Sequence, residues 1–257
     1  MLSGKIVLIS GASSGIGALT ASMLAERGAI PILTGRNEDR LKKQASAIKS
    51  ECAYYVMDVT NMDDVQKTVD SIIAKYGRID ILLNNAGYGQ FETIDNMPVG
   101  GYEAMMDTNY LGIVRCVKAV LPYMKRQGDG QIVNIASMAG KIGSAKSTSY
   151  TATKHAVLGF TNALRMELRP EGIDVSAVNP GPIDTEFFAI ADPAGTYVKN
   201  VRWFMMKPEY VAKKIIRVME KRKSELDLPY AASAGIKLYG LFPRWIDRMF
   251  GGLFNRK

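Results

Sequence analysis

Short, almost wholly apolar runs recur along this chain. Each is followed by a longer stretch whose apolar residues return every three or four positions. The first run is Lys5-Ile6-Val7-Leu8-Ile9-Ser10, and similar strands are predicted at 30–34, 53–57, 79–84, 131–136, 174–179 and 225–228. Helices fit between them at about 15–27, 37–49, 61–76, 99–108, 110–126, 149–169 and 208–222. Asn37 caps the second, Asn61 or Thr60 the third, and Pro170 stops the sixth. Strands without a polar side belong in a sheet covered on both faces. The β-α order then predicts an α/β fold: a doubly wound parallel sheet with right-handed crossovers and helices on both faces. Residues 1–257 read as one domain, with two irregular parts at about 184–206 and 229–257.

Composition narrows the function. The chain has 257 residues, 47% apolar and 23% charged, ordinary values for a globular domain that needs no staple. Cys52 and Cys116 are far apart and read as buried free thiols. His155 is the only histidine, which disfavours zinc chemistry and a Ser-His-Asp triad; no metal is expected. The net charge of +8 could serve an anionic ligand, membrane or nucleic acid. No zinc-finger or RNA-binding signature and no dense basic run is present, so nucleic acid is not expected as a partner. The few residues before the first strand are too short for a signal peptide, and no apolar run is long enough to span a bilayer. The expectation is a cytoplasmic protein, at most peripheral to a membrane.

Gly11-Ala12-Ser13-Ser14-Gly15-Ile16-Gly17 joins the first strand to the first helix. Glycine lets a backbone turn tightly and approach a pyrophosphate, and the following helix N-terminus offers unpaired N–H groups to it. An ordinary tight turn is the plainer reading of three glycines, and their position after the first strand favours phosphate binding. With Asn84-Asn85-Ala86-Gly87, Asn109, Ser137, Tyr150-x-x-x-Lys154 and Asn179-Pro180-Gly181, this loop resembles, in order and spacing, the short-chain dehydrogenase/reductase (SDR) family. The resemblance spans about residues 4–228. It implies a Rossmann-like fold and a nicotinamide-dependent oxidoreductase.

The end of the second strand bears on cofactor choice. Enzymes that prefer NAD usually hold the ribose 2′-OH there with an acidic side chain. This chain has Thr34-Gly35-Arg36 instead. A guanidinium at a helix start is poorly placed for the dipole but well suited to a phosphate. Arg36 is therefore the candidate partner of a 2′-phosphate, with Ser13, Ser14 and Asn37 as further donors, and NADP(H) the expected cofactor. By resemblance, Asp58 and Val59 contact adenine, and Pro180, Gly181, Ile183 and Thr185 the nicotinamide; Asn85, Ala86 and Gly87, at the same carboxyl edge, either contact the cofactor or form an Asn-capped turn.

Tyr150 and Lys154 lie four apart on a predicted helix and share a face. A free phenol titrates at about 10, and a nearby ammonium lowers that value. The resemblance makes Tyr150 the acid/base, with Lys154 lowering its pKa and holding the nicotinamide ribose. Ser137 polarises the substrate oxygen, and Asn109 links the lysine to solvent in a proton relay. His155 points about 100° away from Lys154 round the helix and receives no role.

Residues 184–206 correspond to the family's substrate lid. Phe187, Phe188, Ile190, Tyr197, Val198, Trp203, Phe204, Met205 and Met206 there fit either an apolar, lipid-like or aromatic substrate or plain core packing. Tyr88, Lys141 and Ile142 are further candidates for the pocket wall. The tail, 229–257, mixes aromatics with Lys237, Arg244, Arg248, Arg256 and Lys257, and Pro243 would divide it into two helical pieces. An oligomer contact or a cover for the site is favoured over peripheral membrane binding. A homodimer or homotetramer is what the family implies. Three readings stand: an NADP(H)-dependent ketone/alcohol oxidoreductase, a non-catalytic NADP-sensing protein, and a membrane-associated 3-oxoacyl or keto-sphingoid reductase.

Overall fold

The structure, a computed structural model, describes residues 2–230 and 235. The tail expected to form two helical pieces about Pro243 lies outside the described residues. Seven strands form a single parallel sheet: β1 (Ile6–Ile9), β2 (Ile30–Gly35), β3 (Ala53–Val56), β4 (Ile81–Asn84), β5 (Gly130–Ile135), β6 (Ile173–Pro180) and β7 (Glu225–Leu228). Their order is β3-β2-β1-β4-β5-β6-β7, and every pairing is parallel. The order reverses between β1 and β4, the place where open α/β sheets form a ligand crevice at their carboxyl edge.

The five central strands are buried on both sides, so alternate side chains feed two cores. Ile6, Leu8, Leu82 and Ile132 enter one, with Val65, Val69 and Ile72 of α3 (Met62–Tyr76), Val117 and Val120 of α5 (Gly112–Gln127), and Val157 of α6 (Thr148–Leu168). Val7, Ile9, Leu83 and Val133 enter the other. There they meet Ala21 and Leu24 of α1 (Gly15–Ala25), Leu41 of α2 (Glu38–Ala47) and Ile215 and Met219 of α9 (Pro208–Lys221). Burying each such aliphatic side chain stabilises by about 1.5–3 kcal/mol relative to exposure. The doubly wound architecture predicted from the pattern is therefore present.

Local signals acted as expected at several ends. The side chain of Asn37 accepts from Arg40 N, and that of Asn61 from Asp63 N and Asp64 N. α6 ends at Leu168, and Pro170 sits in the 3₁₀ turn Arg169–Glu171 that follows. Three expectations need correction. The helices expected at 99–108 and 110–126 are one continuous rod: α4 (Val99–Met106) passes through a π turn, Asp107–Leu111, into α5. No glycine or proline stands between Met106 and Leu111 to break it, and the extra residue is absorbed by wider hydrogen bonding. Residues 184–206 are not irregular. They contain α7 (Phe187–Ala191) and α8 (Thr196–Val201), too short to show a helical period. Finally, Cys116 is buried but Cys52 only half-buried, its thiol 3.6 Å from Ala45 O.

Candidate active site

The carboxyl ends of β1, β2, β4, β5 and β6 open into one cleft of about 1500 Å³. One end is a cradle of glycines. Gly11 has φ +68°, and a Cβ there would stand 2.7 Å from Ala86 Cα; one on Gly17 would stand 2.5 Å from Gly11 O. Such contacts with backbone exclude any side chain. Ser14 precedes α1 without capping it, so the first N–H groups of that helix stay available to an anion. Ser10 and Asn85 stitch the cradle to β4. Ser10 Oγ accepts from Asn85 N and Ala86 N, and Asn85 Nδ2 donates to Ser10 O at 3.0 Å and Gly11 O at 2.9 Å.

Gly11, Ser13, Ser14, Gly15, Ile16, Asn85, Ala86 and Gly87 all line the cleft, as do Arg36, Asp58 and Val59. Gly17 does not; its place is the packing of α1 on the loop. The amide of Asn85 is spent on Ser10 and Gly11, so it positions the cradle. Asp58 accepts from Thr60 N and Thr60 Oγ1 through Oδ1, which fixes the carboxylate at the cleft wall. Arg36 is exposed at the cleft edge with no ion pair among the described residues. Asn37 caps α2 instead of facing the cleft. Glycine cradle, uncapped helix end and unpaired guanidinium together fit a phosphorylated dinucleotide.

At the other end, Ser137, Tyr150 and Lys154 converge on the cleft. Ser137 follows β5. Its Oγ accepts from Ala139 N at 3.1 Å, donates toward Pro180 O at 3.3 Å and hydrogen-bonds the Tyr150 phenol. Lys154, buried on α6, donates to Ile135 O at 2.9 Å and lies 5.6 Å from the Tyr150 ring centre. Burial pushes the Tyr150 phenol up to about 12 against the lowering effect of Ser137, and drops the Lys154 ammonium to about 8. The sequence argument expected Lys154 to depress the phenol. In the protein alone desolvation outweighs any such effect, because an ammonium bonded to a carbonyl 5.6 Å from the ring is a weak partner.

Asn109 lies in the π turn, fully buried and outside the cleft wall. Its Oδ1 accepts from Tyr88 N, and its Nδ2 donates to Tyr88 O at 2.8 Å and Thr153 Oγ1 at 3.1 Å. Thr153 Oγ1 donates in turn to Tyr150 O. The side chain thus braces the Tyr150 turn and the strand exit at Tyr88, and is not directed at Lys154 by any bond described. His155 is exposed, with Nδ1 2.9 Å from Thr151 O.

Pro180, Gly181, Ile183 and Thr185 line the cleft beside Ser137. The lid that follows is closed at its root: Ile183 bridges Met206, Met206 N donates to Pro182 O and Asp184 N to Met206 O. Phe187, Phe188, Ile190, Tyr197, Trp203 and Phe204 line the cleft, whereas Met206 joins the core beneath. Tyr88 and Ile142 line the cleft. Lys141 does not, being drawn to Asp227 at 2.6 Å and Glu225 at 2.8 Å.

Phe91 and Arg40 are among the cleft residues that escaped the sequence reading. Phe91 makes edge contacts with Tyr150 at 6.1 Å and Tyr197 at 5.0 Å. Arg40 reaches from α2 to Glu186, 2.8 Å away in the lid. Neither lies in a motif, and the partners of each are distant in sequence.

A family model described as short chain dehydrogenase matches residues 5–194. The 3-oxoacyl-[acyl-carrier-protein] reductase FabG of Thermotoga maritima is 38% identical over 187 residues, 72% of this chain and 76% of that protein. The 3-ketodihydrosphingosine reductase of Bacteroides thetaiotaomicron is 40% identical over 183 residues, 71% of this chain and 65% of its own. Among solved structures, an alcohol dehydrogenase from the archaeon Thermococcus sibiricus complexed with 5-hydroxy-NADP superposes with a TM-score of 0.78 at 28% identity, covering 87% of this chain and 95% of that one.

Proposed function

This chain belongs to the short-chain dehydrogenase family, and from that premise we propose that it is an NADP(H)-dependent oxidoreductase acting on an apolar or lipid-like ketone or secondary alcohol. The observation that carries the reading is the meeting of Tyr150, Ser137 and Lys154 between a glycine cradle and an aromatic lid. The nicotinamide, when bound, supplies or accepts the hydride. Arg36 pairs with the 2′-phosphate, and the α1 N-terminus with the pyrophosphate. Lys154 holds the nicotinamide ribose. Ser137 donates to the substrate oxygen and fixes it beside the Tyr150 hydroxyl. In reduction, Tyr150 releases its proton to that oxygen as the alkoxide forms.

Substrate class follows from the walls. Phe91, Phe187, Phe188, Tyr197 and Ile142 present an apolar surface to the reacting end. The names of the Thermotoga and Bacteroides relatives, a 3-oxoacyl-[acyl-carrier-protein] reductase and a 3-ketodihydrosphingosine reductase, agree with it. On family resemblance we read the chain as one domain with a lid at about 184–206, cytoplasmic or peripheral to a membrane, and a homodimer or homotetramer.

The test is a panel of ketones and alcohols followed at 340 nm with each nicotinamide. NADPH should exceed NADH in kcat/KM, and Arg36→Ala should narrow the gap. Tyr150→Phe should abolish turnover while sparing NADPH affinity. Equal use of the two cofactors would refute the Arg36 assignment, and turnover surviving in Tyr150→Phe would refute the mechanism.

A further inference from the structure

Charge is unevenly distributed along this chain. Residues 1–201 hold twenty Lys and Arg against twenty Asp and Glu, whereas residues 202–257 hold thirteen against five, which is the whole excess of +8. The described part of that segment makes one surface. α9 turns Val211, Ala212, Ile215, Ile216 and Met219 into the core, and so Lys213, Arg217 and Lys221 outward, preceded by the exposed Arg202 and Lys207. Its two carboxylates are Glu209 and Glu220, and Glu220 lies 3.7 Å from Arg27.

Exposed aromatics stand among these cations. Trp203 is 85% exposed, and Tyr210 and Tyr230 are also at the surface. Lys214 Nζ lies 5.2 Å from the Tyr210 ring and 5.0 Å from the Tyr230 ring, which gathers α9 and the chain leaving β7 into a single patch. That patch borders the cleft, since Trp203, Phe204 and Pro229 line it.

We propose that this face docks on an anionic lipid surface, with the mouth of the cleft turned toward the bilayer. Cations near such a surface are attracted by its negative potential, and tryptophan and tyrosine favour the headgroup level. A soluble acidic carrier would satisfy the charges but gives no reason to hold a tryptophan in water beside them. The sequence beyond Tyr230 continues the same chemistry, with Phe242, Trp245, Phe250 and Phe254 among five basic residues and a single acidic one. Docking does not depend on the redox reading, and it can be measured without turnover.

The experiment is sedimentation of the full chain with phosphatidylcholine vesicles, with and without phosphatidylglycerol. Binding should be at least roughly tenfold tighter to the anionic vesicles and should weaken with salt. Lys213→Glu/Arg217→Glu should lose that binding while NADPH affinity, read by fluorescence titration, is unchanged. In a Trp245→Phe background Trp203 is the one tryptophan left, and its emission should shift to the blue on anionic vesicles. Equal or absent binding to the two vesicle types, or full binding by the charge-reversed variant, would overturn the proposal. So would capture by a soluble acidic carrier protein, or self-association that shields Trp203, in place of vesicle binding.

Discussion

Burial acts on Tyr150 and Lys154 in opposite senses, holding the phenol protonated and loosening the proton of the ammonium toward about 8. If Lys154 holds the ribose as a cation, the reductive kcat/KM should be level below about pH 8 and fall above it as Lys154 titrates. Lys154→Arg should remove that inflection, because guanidinium keeps its charge. A profile unchanged in Lys154→Arg would assign the titration elsewhere. At this scale the sequence was legible wherever chemistry repeats at fixed spacing. Tyr150 and Lys154 are four apart on α6, and the glycines sit in one loop. It was not legible where a contact joins remote segments. Phe91 stacks on Tyr150 only because the loop after β4 passes over α6. Asn109, read by resemblance as the link from Lys154 to water, also bonds Tyr88 and Thr153, contacts that no motif spacing announces.

The segments carrying these residues are held by close backbone approaches and by one long-range ion pair. Gly11→Ala would drive a Cβ into Ala86 and force a left-handed φ on alanine, costing roughly 1–3 kcal/mol and spoiling the cradle. A urea midpoint only slightly lowered, with NADPH binding intact, would contradict this. Arg40–Glu186 ties α2 to the lid across the cleft. Both side chains are more than half exposed, so the pair should contribute at most about 1 kcal/mol to stability. Glu186→Gln should leave the melting temperature nearly unchanged but speed cofactor release in stopped-flow. An unchanged release rate would show that the pair does not restrain the lid. Helices were legible where they run for two turns or more, since only then does a helical period emerge, and strands where the run is almost wholly apolar. α7 and α8 are five- and six-residue helices that depend on contacts made by the finished fold, such as Phe188 and Val201 packed inward.

Across the whole molecule, the two edges of the sheet do different work. The carboxyl edge holds the cleft. The opposite edge is fastened by Asp80, only 3% exposed, which accepts from Lys5 at 2.8 Å, Ile6 N at 2.9 Å and Arg78. Asp80→Ala would strand the buried Ile6 N–H, while Lys5 and Arg78 can turn to solvent, and should destabilise by about 1–3 kcal/mol, with kcat of the folded fraction preserved. A large loss of kcat at unchanged stability would place Asp80 in the chemistry instead.

The pairing of Pro182–Asp184 with Met206 has an evolutionary corollary. Because both ends of the lid meet on one short bridge, the residues between them form a cassette whose length and sequence can drift without disturbing strand register. Descendants of such a chain could acquire new substrates by exchanging the part of that insert beyond Glu186, leaving Ser137, Tyr150 and Lys154 in place.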